Sequence, residues 1–107
     1  MKAFRDLNVG DPVWITMYDG NSTDEIPWFD KLTITDITET IVGSLFITDS
    51  GFTFSVRENS LDHTSVCDYD HVYSDFEEFR SHASETVDRL QKVLDDSKNR
   101  LEDILNK

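Results

Sequence analysis

From Asp75 to Lys107 the chain contains neither Gly nor Pro, and Phe76, Ala83, Val87, Leu90, Leu94, Ser97, Leu101 and Ile104 recur at steps of four and three after the first interval. That period is the signature of one face of an α-helix. In heptad positions Val87, Leu94 and Leu101 occupy a, and Ala83, Leu90, Ser97 and Ile104 occupy d. Ser74-Asp75-Phe76-Glu77 reads as a capping box, in which hydroxyl and carboxylate satisfy backbone donors at a helix start, so the helix is expected over 74–107. Glu85 with Arg89, Asp88 with Lys92 and Asp96 with Arg100 stand four apart with the acid first, the order that supports a solvated helical face. About 33 residues at 1.5 Å each give roughly 50 Å of helix. The remaining 73 or so residues should fold into a body of roughly 30 Å, so some 20 Å of helix overhangs it. The first half of the stripe, Phe76 to Leu94, is broad and is expected to pack on the body. The second half, with Ser97, Leu101, Ile104 and Leu105, is narrower and is expected to pack on another chain, unless the helix bends back near Asp95-Asp96-Ser97 or frays at its end.

Before the helix the pattern changes to short runs of β-prone residues. Val9-Gly10-Asp11-Pro12 forms a turn ahead of a strand from about Val13 to Met17, which carries Trp14. Tyr18 to Glu25 is a polar loop of turn formers. Lys31 to Ile37 alternates, with Leu32, Ile34 and Asp36 on one face. Ile41 to Thr48 and Phe52 to Val56 follow, joined by the tight Asp49-Ser50-Gly51 hairpin signal, and a fifth strand is expected within Ser65 to Tyr73. Five short strands, regular turns and an aromatic opening strand after Val-Gly-Asp resemble the SH3-like small barrels of KOW and related domains. The resemblance lies at the level of the fold over residues 7 to 73. It implies an α+β chain: an antiparallel five-stranded barrel over 1–73 and a long C-terminal helix over 74–107. It also implies a binding platform rather than an enzyme.

The 107 residues carry a formal charge of −12. Residues 1–75 hold 14 acids and 4 bases, and residues 76–107 hold 8 and 6, so the acidity belongs to the barrel. Such a surface repels phosphate, and direct binding of nucleic acid is not expected. With one cysteine, Cys67, and no signal-like or membrane-length apolar run, a cytoplasmic location is the expectation.

Candidate chemistry is sparse. His63, Cys67, Asp68, Asp70 and His71 are the one local group with metal-ligand character, but four-residue gaps on a strand separate them by about 13 Å, too far to share an ion. Asp19 to Glu25 resembles a calcium loop without its ligand order. No catalytic residue, cofactor or metal site is expected. Pro27 precedes Trp28 and Phe29, aromatics suited to anchoring an interface or receiving the helix. The expectation is a non-enzymatic protein–protein interaction module that self-associates through Leu94, Leu101, Ile104 and Leu105, with Trp28 and Phe29 as further interface residues. The alternative is an acidic mimic of nucleic acid, of the type encoded by mobile elements, that presents Asp24, Glu25, Asp30, Asp36 and Asp49 to a DNA- or RNA-binding protein.

Overall fold

The computed structural model describes residues 1–18, 27–67 and 71–106; residues 19–26, 68–70 and 107, and the side chains of Tyr18 and Cys67, lie outside the described set. Among the described residues six strands form one antiparallel sheet: β1 (Pro12–Tyr18), β2 (Pro27–Glu39), β3 (Gly43–Thr48), β4 (Thr53–Arg57), β5 (Ser65–Cys67) and β6 (His71–Tyr73). Their order is β4-β3-β2-β1-β6-β5, curled into a nearly closed barrel. One helix, α1 (Phe76–Leu105), follows.

The strand count is six rather than five because the segment read as one fifth strand is a hairpin. Val66 pairs with Val72 and Cys67 with His71, antiparallel. β6 then pairs with β1 through Ile15 and Val72. β3 begins later than its apolar run suggests. Ile41 and Val42 are exposed at the tip of the β2–β3 connection, which closes as the Thr40 N–H donates to the Gly43 carbonyl at 2.8 Å and the Gly43 N–H donates to Thr40 Oγ1 at 3.1 Å. Gly43 is buried against β4, where a Cβ would overlap the Val56 carbonyl oxygen and meet Arg57 Cα at 2.8 Å. Only glycine fits that crossing.

Strict alternation in β2 would place Asp36 beside Leu32 and Ile34, facing inward. The ladder shows otherwise: Ile34 opposes Thr48 and Asp36 opposes Ile47, with an irregularity between them. Thr35 is the extra residue of a bulge, so the side-chain parity changes at this point. Asp36 turns outward, its carboxylate accepting the Ile37 N–H at 2.9 Å, and Ile37 packs against the core. The bulge thereby keeps a charge out of an apolar interior, where an unpaired carboxylate would be costly.

The core comprises Val13, Ile15, Leu32, Ile34, Phe46, Phe54, Val56 and Val72 from the strands, joined by Phe4, Leu7 and Leu61 from the connections. Phe4 is 1 % exposed and lies 6.2 Å from the Phe46 ring and 6.0 Å from that of Phe54. Its N–H donates to the His63 carbonyl at 3.1 Å, and the Arg5 N–H donates to that of Leu61 at 2.7 Å. The N-terminal segment thus plugs the barrel. The Val9-Gly10-Asp11 turn locks onto β2, with the Gly10 N–H on the Ile34 carbonyl and the Ile34 N–H on that of Asp11. Gly10, at φ +96°, supplies the left-handed backbone this turn requires.

The helix start differs from the expected capping box. Asp75 is the N-cap, its Oδ2 accepting the Glu78 N–H at 3.1 Å. Ser74 is occupied elsewhere: its buried hydroxyl donates toward the Lys2 carbonyl at 2.6 Å and lies 3.2 Å from the Thr64 carbonyl. The Lys2 N–H donates to Asp75 Oδ1 at 3.2 Å. The N-terminal segment therefore fixes the point at which the chain leaves the barrel. From there α1 runs for 30 residues, about 45 Å, and the molecule measures 64 × 28 × 23 Å.

Two predictions follow from β2 and the first turn. Ile37→Ala should destabilise the fold by roughly 1–2 kcal/mol, and Asp36→Ala by less than about 0.5 kcal/mol, the reverse of what unbroken alternation requires; urea denaturation reads both. The Asp11 carboxyl is held below its ordinary range by the Lys2 ammonium, 2.9 Å away, and by the Asn8 N–H. A depressed folded-state value stabilises above the unfolded value, about pH 4, and that contribution is lost as pH falls through the folded one. The stability difference between wild type and Asp11→Asn should be constant from neutral pH down to about pH 4 and shrink below it. A difference that grows on acidification would contradict the assignment.

Candidate functional site

α1 is seated on the outer face of β1 and β6. Val13 and Ile15 point into the core, so the alternate residues Trp14 and Thr16 point outward, and Val72 inward leaves Tyr73 outward. Phe79, in the first turn of the helix, sits among three rings. Its centroid lies 6.3 Å from Trp14 in a stacked arrangement, and 5.6 Å from Tyr73 and 6.0 Å from Phe29 edge-on. Phe76 adds a tilted contact to Trp14 at 5.3 Å. Edge-on and offset ring pairs are each worth about 0.5–1.5 kcal/mol beyond their burial. One turn further along, His82 packs edge-on against Tyr73 at 5.3 Å, its Nδ1 3.1 Å from the phenolic oxygen. His71 Nδ1 lies 3.3 Å from the same oxygen. Two imidazoles thus share one hydroxyl at the junction of sheet and helix.

The helix leaves the barrel after this contact. Every described residue from Gln91 onward is exposed, with Leu94 at 64 %, Leu101 at 55 %, Ile104 at 63 % and Leu105 at 71 %. Val87, on the same stripe, is half exposed. At the root of the stripe lies an open groove of about 360 Å³, lined by Phe29, Phe79, Ala83, Ser84, Val87 and Asp88. The stripe and the groove are continuous, because Ala83 and Val87 belong to both. Sequence reasoning placed these two on the helical face and offered Phe29 as a residue that could receive the helix, without pairing it with Phe79. The signal available was the Trp14–Phe29–Phe79 set of aromatics, which no local pattern connects.

The expected interface residues therefore separate. Phe29 receives the helix, while Trp28, 67 % exposed, points to the other side of β2 and takes no part in the groove. Of the expected acidic surface, Asp30, Asp36 and Asp49 are exposed. Each accepts a backbone N–H: Asp30 that of Lys31 at 2.8 Å, Asp36 that of Ile37, and Asp49 that of Thr33 at 3.2 Å. Asp24 and Glu25 lie outside the described residues, as do the polar loop to which they belong and Asp68 and Asp70 beside Cys67. Among the described residues no three His, Cys, Asp or Glu side chains converge to hold a metal ion. No helix among them is long and apolar enough to cross a membrane.

Phe79→Ala should loosen the root of the helix without unfolding the barrel, at a cost of about 2 kcal/mol. Read in a Trp28→Phe background, Trp14 emission should shift to the red while the far-ultraviolet β signal persists. An unchanged emission maximum would show that Phe79 does not hold the helix on Trp14. No family model matches this chain, and no curated protein and no solved structure matches it.

Proposed function

We propose that the chain is a non-enzymatic protein–protein interaction module, an acidic SH3-like barrel that self-associates through α1. The observation that supports this reading is the apolar surface the fold leaves uncovered. A compact protein of 12.4 kDa exposes about 6,100 Å², whereas this chain exposes 7740 Å², an excess of roughly 1,600 Å². A stable two-chain interface covers about 800 Å² on each partner. The radius of gyration, 17.7 Å, likewise exceeds the 13 Å or so of a compact chain of this length. On the overhanging helix Leu94, Leu101, Ile104 and Leu105 stand on one stripe in water.

Nucleic-acid mimicry draws less support. The described acids of that set are distributed over β2 and the β3–β4 turn and are bonded to the backbone of the sheet itself, a local structural role that accounts for them.

Light scattering over a range of concentrations tests the proposal. Wild type should show a mass above that of one chain, rising with concentration, and Leu101→Asp with Ile104→Asp should return it to one chain with an unchanged barrel signal in circular dichroism. Wild type that stays at the mass of one chain throughout would overturn it.

A further inference from the structure

Building on self-association as the reading, we infer that the second copy binds antiparallel, with the C-terminal end of its helix lying in the groove walled by Phe29 and Phe79. Three observations point to this occupant and this direction.

The first is the continuity of the apolar surface. The groove at Ala83 and Val87 leads along the same helical face through Leu90 to the exposed stripe at Leu94 and Leu101, which Ser97 alone interrupts. An antiparallel coiled coil pairs a positions with d positions of the partner. In the register that sets Leu101 opposite Ala83, Leu94 falls opposite Leu90 and Ser97 opposite Val87, and Ile104 and Leu105 reach the turn that carries Phe79. The small side chain of Ala83 leaves the space that Leu101 would fill. The polar Ser97 meets Val87 near the mouth of the groove, rather than another Ser97 at the centre of the seam.

The second is charge. The barrel segment carries 14 acids against 4 bases, and the helix is nearly neutral. Parallel helices would set two such barrels side by side. In the antiparallel register His82 opposes Glu102, so the two docking centres stand about 30 Å apart along the axis. That is several times the screening length of about 8 Å at physiological salt. Each barrel then faces the partner's helix end, where Lys98 comes beside Ser84 and Asp88 on the groove wall. A nearly neutral helix end replaces a second acidic barrel at the contact.

The third is area. A seam confined to the overhang would leave the groove open, whereas the antiparallel register covers the groove and the stripe together. The monomer exposes roughly 1,600 Å² more than a compact chain of its mass, against the 800 Å² or so that a stable interface covers on each partner.

Disulfide trapping decides the direction. In a Cys67→Ser background, which removes the one native thiol, the variants Ala83→Cys and Leu101→Cys are mixed and oxidised under mild conditions. Positions facing each other across the seam fall within the reach of a disulfide. The antiparallel arrangement predicts that most of the trapped dimer is the mixed species, one chain of each variant, and that Ile104→Cys alone traps less than a tenth as much. A dominant self-link through Ile104→Cys would show parallel helices and overturn the inference while leaving self-association intact. A mass of one chain by light scattering, with no link in either experiment, would overturn both.

Discussion

Lys2 ties the start of the helix to the barrel, beside the aromatic contacts of Phe79. Its carbonyl accepts the Ser74 hydroxyl, its N–H donates to the Asp75 carboxylate that caps α1, and its ammonium pairs with Asp11 at the first turn. Two residues on, Phe4 fills the core between Phe46 and Phe54. A segment with no regular structure beyond one turn of 3-10 helix, Phe4–Asp6, therefore closes the barrel, fixes the exit of the last strand and sets the first turn of the helix. A small domain has little stability to spare, and burial of one phenylalanine contributes about 1.5–3 kcal/mol. Phe4 is accordingly a large share of what separates a closed barrel from an open sheet.

The direction of the helix follows from that anchorage and from Phe79. With the cap at Asp75 and the ring of Phe79 among Trp14, Tyr73 and Phe29, the first turns have one orientation on the sheet. The absence of Gly and Pro carries that orientation along the whole length. The exposed stripe is then presented at a defined angle to the barrel, which a flexible tail with the same residues could not do. Ordering a partner on a surface already fixed costs less than ordering both together.

The helix and the four-stranded meander were legible in the sequence because each rests on a local period. What was not legible required a partner distant along the chain. The bulge at Thr35 depends on Thr48 and Ile47 across the ladder, so the alternation of β2 alone misplaces Asp36 and Ile37. Ser74 matches the capping pattern and would serve as the cap if Lys2 and Thr64 did not present carbonyls to its hydroxyl. The last strand divides in two because β6 finds an edge on β1. Leu94, Leu101, Ile104 and Leu105 were readable as an exposed stripe from their spacing. The groove was legible only in part: Phe29 was readable as an aromatic suited to receiving the helix, but Phe79 stands fifty residues away and no local pattern names it as the partner.

The contact between Lys2 and Ser74 also sets an order of events during synthesis. Strands β1 to β4 pair with their neighbours in sequence, so they can assemble as they emerge, but closure waits for residues 61 to 74 to reach the N-terminal segment. Contacts of such separation form late, because the loop they close is long. The apolar stripe of the helix follows the barrel in the chain and is translated after it. The surface that would draw two copies together therefore comes into being on a chain whose core can already be closed, and nascent chains on neighbouring ribosomes have little opportunity to associate before their barrels are complete.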